Sequence, residues 1–181
     1  MIVIIEGMDR CYKDSLIKYI RKHILTSHLT TMIHCASTPT NADKNNWPKH
    51  HYESLLEECI DLSENKGWNI ILNRSHLGEN VYGPIFRDVN SDWVFDLEKD
   101  VFGSNTDVRL IAIIDSAENL MKREDGESMY KSINDLEQVR NAFLETFERS
   151  HITHKVIHDH SLVRPDAQIQ TLIELTKEHL S

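Results

Sequence analysis

Residues 2–15 read IVIIEGMDRCYKDS. The apolar, β-branched run that opens this stretch is typical of a buried strand, and an amphipathic helical pattern follows it. Between the two, Gly7 and Lys13 match the pattern G-x-x-x-x-G-K-[ST], while Tyr12 and Asp14 replace its second glycine and its hydroxyl residue. A strand, a glycine-containing loop and a helix in this order predict a phosphate-binding loop of altered composition.

Each residue of this loop has a predicted task. Backbone N–H groups and the positive end of the helix attract an anion, and Lys13 adds a point charge for the transferred phosphoryl group. Tyr12 requires a relaxed loop or another phosphate path, because glycine lets the backbone wrap a phosphate closely. Asp14 is a hard oxygen donor for Mg²⁺, and Ser15 is the nearest hydroxyl. Gly7, Tyr12, Asp14 and Ser15 are therefore phosphate-binding candidates; the alternative is an ordinary strand–loop–helix unit with an exposed lysine.

Strand and helix patterns alternate along the rest of the chain. Further β-branched runs lie at 30–34, 69–72, 109–114 and 155–157, and helical patterns at 16–24, 52–62, 93–102, 136–147 and 169–180. This alternation predicts an α/β three-layer fold, with a five-stranded parallel sheet between helices and the 2–5 strand at its centre. The polar segment 37–49 follows the second strand, at the edge where open α/β sheets bind ligands.

Composition narrows the functional classes. The 181 residues have the length of one domain, and the net charge of −9 disfavours a nucleic-acid partner such as DNA. No apolar run approaches the length of a membrane span. Cys11, Cys35 and Cys59 show no C-x-x-C spacing, which predicts reduced thiols and a cytoplasmic protein.

The histidines near the end of the chain raise the alternative of a metal site. The densest group is His151, His154, His158 and His160, and on a strand the last two share a face. Scattered histidines in such a position are more often solvated, so we favour solvated side chains over a metal centre.

Two segments together resemble thymidylate kinases. Residues 6–10, EGMDR, followed by Lys13, resemble the opening E-G-x-D-R/G-x-G-K-[ST] of these enzymes. Residues 70–84, IILNRSHLGENVYGP, followed by Arg87, resemble the D-R-x-H-L-[SG]-E-x-V-Y-G-P stretch of viral and phage thymidylate kinase-like proteins. The likeness spans nearly the whole chain, and the polar segment 122–132 corresponds to a lid.

The resemblance implies a P-loop nucleotide kinase that transfers a phosphoryl group from ATP, with Mg²⁺, to a deoxynucleoside monophosphate. Lys13 would then contact the β- and γ-phosphates of the donor, and Arg10 would reach the transferred group. Asp9 would hold a hydroxyl or phosphate of the substrate. Arg123 would close over the donor from the lid. Arginine suits such tasks because its planar fork matches phosphate oxygens.

On the acceptor side, the resemblance implies that Arg74 binds the acceptor's phosphate, with Arg87 as a second candidate. Tyr82, which precedes Gly83-Pro84 and is interpreted as lying near a turn, is a candidate for stacking on the base, although an aromatic residue in such a position as often serves packing. Asn73 stands where the family has an aspartate that organises the metal or its water, so it keeps an oxygen without the charge. Either Asp14 has taken over the carboxylate, or these changes record a loss of catalysis.

Two other functions compete with nucleotide phosphorylation. One is a catalytically inactive relative that binds a nucleotide or a protein partner. The other is a kinase that acts on modified DNA bases or DNA ends, which the acidic composition disfavours. The resemblance further implies a homodimer, because thymidylate kinases are commonly dimers.

Overall fold

The computed structural model describes residues 1–35, 38–39, 41–103, 106–123 and 132–181. Its strands are β1 (Ile2–Gly7), β2 (Thr30–His34), β3 (Asn69–Asn73), β4 (Val108–Ile114) and β5 (His154–Asp159). Its helices are α1 (Lys13–His23), α2 (Trp47–Ile60), α3 (Leu77–Arg87), α4 (Trp93–Val101), α5 (Ala117–Met121), α6 (Ile133–Arg149) and α7 (Gln168–Leu180), with a π-helical turn after α2 and a short 3₁₀ helix after β5.

The strands form one parallel sheet in the order β2-β3-β1-β4-β5. β1 lies at the centre, and Ile5 pairs with Asn73 of β3 and with Ile111 of β4. The predicted five-stranded parallel sheet and its central strand are therefore confirmed. Each strand extends the predicted run by at most two residues at either end.

Helices cover both faces of the sheet. Val3 and Ile5 belong to the apolar cluster that includes α1, α6 and α7, whereas Ile2 and Ile4 belong to the cluster that includes α2 and α4. All four side chains are 0% exposed. A strand buried on both faces has no polar face, which explains why residues 2–5 are apolar without alternation.

The segment around Tyr82, Gly83 and Pro84, which we interpreted as lying near a turn, is helical, so that interpretation is wrong. α3 runs through all three residues, although Pro84 lacks a backbone donor. Val81 and Leu77 anchor this helix in the two apolar clusters. Their packing outweighs the local turn signal of a glycine–proline pair.

The histidines of β5 and the following turn differ from the expectation of solvated side chains. His158 and His160 are 3% and 1% exposed, whereas His151 and His154 are exposed. Burial lowers the pKa of His158 to about 4, which favours a neutral ring. Within the described ranges, no three histidine, cysteine or acidic side chains are grouped closely enough to hold a metal ion.

Most of the predicted lid, residues 124–131, lies outside the described residues. None of the helices that the structure describes combines the length and the apolar character needed to cross a bilayer.

Candidate active site

The loop between β1 and α1 lies at the carboxyl edge of the sheet, and its start depends on Gly7. This residue has a φ of 143°, which side-chain-bearing residues rarely adopt. A Cβ atom there would lie 2.2 Å from the carbonyl oxygen of Ile113 in β4. The N–H of Met8 donates to the same oxygen at 3.1 Å. Glycine at this position therefore lets the loop press against the neighbouring strand.

Lys13 begins α1, and its side chain is folded back into the loop. Its Nζ donates to the carbonyl oxygens of Gly7 at 3.1 Å and Met8 at 2.6 Å. The residue is only 8% exposed, so the alternative of an exposed surface lysine is wrong. Burial, together with the nearby charge of Arg74, lowers the pKa of Lys13 to about 8. The ammonium is held by carbonyl oxygens that an incoming anion can replace.

Two loop residues that carry side chains adopt the left-handed conformation. Arg10 has a φ of 62° and Tyr12, at the N-cap of α1, a φ of 61°. A left-handed conformation costs such a residue about 1–2 kcal/mol. Tyr12 therefore has a backbone conformation that glycine adopts without strain, and it holds this conformation at a steric cost.

Arg123 stabilises both of these residues. Its Nη1 donates to the carbonyl oxygen of Arg10 at 2.9 Å, and its guanidinium lies 5.2 Å from the centre of the Tyr12 ring. It also pairs with Asp115, which is fully buried, and donates to Gln168 Oε1 at 3.2 Å. The arginine predicted at the start of the lid thus contacts the phosphate loop itself.

The two altered metal-site positions contact each other. Asn73 Nδ2, at the end of β3, donates to Asp14 Oδ1 at 3.0 Å. Asn73 Oδ1 is buried and has no hydrogen-bond partner among the described residues. With the exposed Ser15 hydroxyl beside them, these groups offer carboxylate, amide and hydroxyl oxygens, a donor set that fits Mg²⁺.

A cavity of about 420 Å³ opens beside the loop, between β2, β3 and α3. It is called here the second cavity, to distinguish it from the cavity at the loop itself. Arg74, the first residue after β3, forms an ion pair with Asp9 of the loop. The Arg74 guanidinium lies 5.8 Å from the centre of the Tyr82 ring, on α3. The structure therefore brings three of the predicted substrate-binding residues to one wall of this cavity.

Arg87 reaches the same cavity from the last turn of α3. It forms an ion pair with Glu79, which lies about two turns earlier on the same face of the helix. Its Nη1 donates to Thr38 Oγ1 at 2.8 Å. Each arginine of the second cavity is therefore already matched by a carboxylate. An anionic ligand must compete with these carboxylates for the guanidinium groups.

Glu6 fixes the turn between β3 and α3, which the sequence analysis did not predict. Its Oε1 accepts from the N–H of Ser75 at 2.6 Å and of Gly78 at 3.2 Å. Burial raises the pKa of Glu6, although Arg74 and the two N–H donors oppose that shift. The signal for this role was the position of Glu6 in the quoted loop motif. His34, Cys35 and Tyr52 also line the second cavity, and the sequence predicted no binding role for them.

The second cavity adjoins a cavity of about 430 Å³ at the phosphate loop, called here the loop cavity. Asp9, His34 and Arg74 line both. Of the remaining predicted residues, Gly7 is not among those that line either cavity. The loop cavity has Arg10, Tyr12, Lys13, Asp14, Ser15, Asn73 and Arg123, and the second cavity has Tyr82 and Arg87. The two cavities thus form one continuous surface at the carboxyl edge of the sheet.

Several solved structures, two of them thymidylate kinases, share this architecture. The YorR protein of Bacillus subtilis, solved with phosphorylated GDP, is 17% identical, with a TM-score of 0.68 over 100% of this chain and 99% of that one. The thymidylate kinase of Ehrlichia chaffeensis is 11% identical, with a TM-score of 0.64 over 100% and 98%. That of Candida albicans is 18% identical, with a TM-score of 0.61 over 98% and 92%.

No family model and no curated protein matches the sequence. Identities below 20% carry the fold and not the substrate. The position of the β1–α1 loop at the end of the central strand, the parallel sheet order and the full-length structural likeness agree with one another. The chain therefore has the α/β fold of the P-loop nucleotide kinases.

Proposed function

We propose that this chain transfers the terminal phosphoryl group of ATP to the phosphate of a deoxynucleoside monophosphate. The observation that supports this most directly is the junction of the two cavities, at Asp9, His34 and Arg74. Phosphoryl transfer needs the attacking and leaving oxygens roughly in line. A donor site and an acceptor site that open onto each other satisfy this requirement.

On the donor side, the triphosphate occupies the loop cavity. Lys13 exchanges the carbonyl oxygens of Gly7 and Met8 for phosphate oxygens, which raises its pKa again because an anion replaces neutral dipoles. The N–H groups at the start of α1 point towards the same anion. Arg10 lies on the loop between the two cavities and stabilises the charge of the group in transit.

On the acceptor side, the monophosphate occupies the second cavity. Its phosphate takes the guanidinium fork of Arg74, and Asp9, released from its ion pair, accepts a hydroxyl of the sugar. Tyr82 presents its ring to the base, and Arg87 forms the far wall. Exchange of Asp9 for a phosphate at Arg74 couples acceptor binding to the loop that holds the donor.

Asp14, Asn73 and Ser15 would hold Mg²⁺ beside the donor phosphates. The ion supplies neutralisation of the charge on the β- and γ-phosphate oxygens. The unpartnered Asn73 Oδ1 and the second oxygen of Asp14 support this assignment. Asn73 also orients the Asp14 carboxylate through its amide N–H.

A panel of deoxynucleoside and ribonucleoside monophosphates, incubated with ATP and Mg²⁺, tests the proposal. We expect a diphosphate product from at least one deoxynucleoside monophosphate. Lys13→Ala should abolish it, because such a charge contributes on the order of several kcal/mol to the transition state. Failure of the parent protein to phosphorylate any member of the panel would refute the proposed activity.

One observation favours a second candidate, a protein that binds a nucleotide without transferring phosphate. In the structure Lys13 donates to loop carbonyls, and three positions around it, Tyr12, Asp14 and Asn73, depart from the kinase pattern. For this candidate, calorimetry should show ATP binding while the monophosphate panel yields no product.

A further inference from the structure

Arg74 has a backbone conformation that its surroundings must enforce. Its φ is 67°, in the left-handed region, and it follows the last residue of β3 directly. Such a conformation costs a non-glycine residue of order 1–3 kcal/mol and persists only when neighbouring groups hold it. The N–H of Arg74 donates to the Ile5 carbonyl at 2.9 Å, which fixes the start of the turn. The Glu6 carboxylate holds the N–H groups of Ser75 and Gly78, and the side chains of the turn have a further anchor.

That anchor is a buried chain of hydrogen bonds from Ser75 through His76 to Glu98, called here the relay. Ser75 Oγ lies 2.8 Å from His76 Nδ1, and His76 Nε2 lies 3.0 Å from Glu98 Oε1. The three residues are 1%, 0% and 1% exposed. Of the three, only Ser75 is among the described residues that line the second cavity.

The far end of the relay is attached to another part of the fold. Glu98 lies on α4, and its Oε1 also accepts from Ser150 Oγ at 2.9 Å. Its Oε2 accepts from the N–H of His151 at 2.6 Å. Ser150 and His151 connect α6 to β5, so the relay links the turn that carries Arg74 to the C-terminal end of α6.

The chemistry of Glu98 determines how the protons are placed along the relay. Both of its oxygens accept hydrogen bonds, as an ionised carboxylate does. A neutral His76 ring then donates from Nε2 to Glu98 and accepts at Nδ1 from the Ser75 hydroxyl. Every polar atom of the relay then has a partner of the correct kind, which makes the arrangement unique and rigid.

We propose that His76 and Glu98 are positioning residues that hold Arg74 in its ligand-binding orientation, through Ser75. The inference rests on the proposed function insofar as Arg74 receives the acceptor phosphate. Neither positioning residue touches the acceptor. Their loss therefore weakens acceptor binding more than donor binding. Arg74 also pairs with Asp9 of the loop, but the loop has separate anchors at Met8 and Arg123.

Glu98→Gln tests the relay with little change of volume. One carboxylate oxygen becomes an NH₂ group that faces existing donors, so a link to His76, Ser150 or His151 is lost. We expect amide hydrogen exchange in residues 74–78 to become at least about tenfold faster, because the turn opens more often. Calorimetry with thymidine monophosphate should show about tenfold weaker binding, as a misplaced binding group predicts, with a clearly smaller loss of ATP affinity.

Ser75→Ala removes the other end of the relay and keeps the test decisive if Glu98→Gln does not fold. Thr146→Val is the matched control. It deletes a partly buried hydrogen bond of 2.9 Å from α6 to Asn80, which lies on α3 but outside the turn. This variant should lose stability without changing exchange at 74–78 or acceptor affinity.

The outcomes separate the two proposals. Unchanged exchange at residues 74–78 in folded Glu98→Gln or Ser75→Ala would overturn the relay, whatever the protein binds. Equal losses of acceptor and donor affinity would overturn it too, because a general loosening of the fold would explain them. If the parent binds no nucleoside monophosphate, the proposed function fails, while the exchange comparison still decides whether the relay holds the turn.

Discussion

Lys13 is a charged group that the folded chain holds at a cost. Burial lowers its pKa to about 8, from an ordinary value of 10.5. Between these two values the unfolded chain binds a proton that the folded chain does not. The free energy of unfolding should therefore rise as the pH increases from about 8 to 10.5. Below pH 8 both states bind the proton, and the cost of burying the charged ammonium is fully present.

This ionisation predicts a pH dependence of triphosphate binding. Above pH 8 the free protein loses the charge that attracts the phosphates, so ATP affinity should fall by up to about tenfold per pH unit. Calorimetry between pH 7 and 9.5 measures the slope. Lys13→Arg, which stays charged, should bind ATP with little pH dependence over this range. An equal decline in both proteins would mean that another group controls binding.

The Asp14–Asn73 contact predicts a non-additive pair of substitutions. Asn73→Asp places two carboxylates at a separation close to the present 3.0 Å, which should destabilise the fold by about 1–3 kcal/mol and weaken Mg²⁺-dependent ATP binding. Adding Asp14→Ser removes one carboxylate and restores the family arrangement, so the double variant should recover both losses. Chemical denaturation and calorimetry with and without Mg²⁺ measure them. Additive losses would show that the two residues neither bind the same metal ion nor interact electrostatically.

At the scale of the elements, the strand–loop–helix unit depends on an arginine more than a hundred residues away in sequence. Arg123 follows α5, donates to the carbonyl oxygen of Arg10 and lies against the ring of Tyr12. Both of these residues have left-handed backbones. Asp115 and Gln168 fix the guanidinium from the side of the core. The altered loop thus has a support that compensates for the missing glycine.

A double-mutant cycle tests this support. Tyr12→Gly relieves the steric cost of the left-handed N-cap, although it loses the contact with the Arg123 guanidinium. We expect Arg123→Ala to destabilise the parent by about 1 kcal/mol more than it destabilises Tyr12→Gly, which is a coupling typical of residues in contact. Urea denaturation measures all four proteins. Arg140→Ala, which breaks the Arg140–Asp159 pair elsewhere, should show no coupling with Tyr12→Gly.

At the scale of the whole molecule, residues that line or support the two cavities converge from four strands on one edge of the sheet. β1 contributes the phosphate loop, β2 leads to His34 and Cys35, β3 to Asn73 and Arg74, and β4 to Asp115. Because all strands are parallel, their carboxyl ends meet there. A ligand at this edge contacts most of the sheet and should stabilise the molecule as a unit.

Thermal unfolding measures this linkage without requiring catalysis. ATP at a hundred times its dissociation constant should add about 2.7 kcal/mol of stability, or about 5–10 °C in Tm for a chain of this size. Thymidine monophosphate should produce a similar shift at the same saturation. Lys13→Ala should abolish the first shift and Arg74→Ala the second. A monophosphate shift that survives Arg74→Ala would place the acceptor outside the second cavity.

Short-range patterns were sufficient to predict the architecture. The apolar run at 2–5 and the spacing of Gly7 and Lys13 identified the central strand and its loop. Alternating strand and helix patterns then predicted the parallel sheet, because parallel strands need crossover connections that helices supply. Secondary structure depends largely on neighbouring residues, so the periodicity of apolar residues indicates it directly. The motif around Arg74 likewise placed this residue at the carboxyl edge.

Only the tertiary structure decided which distant groups meet. Packing of Val81 and Leu77 made a helix of a segment whose glycine–proline pair indicated a turn. His76 and Glu98 are 22 residues apart, and Arg123 and Arg10 are 113 apart, so no local pattern records either contact. Burial of a polar side chain and its choice of partner depend on how the whole chain packs, since a buried polar group is stable only where the fold supplies a partner.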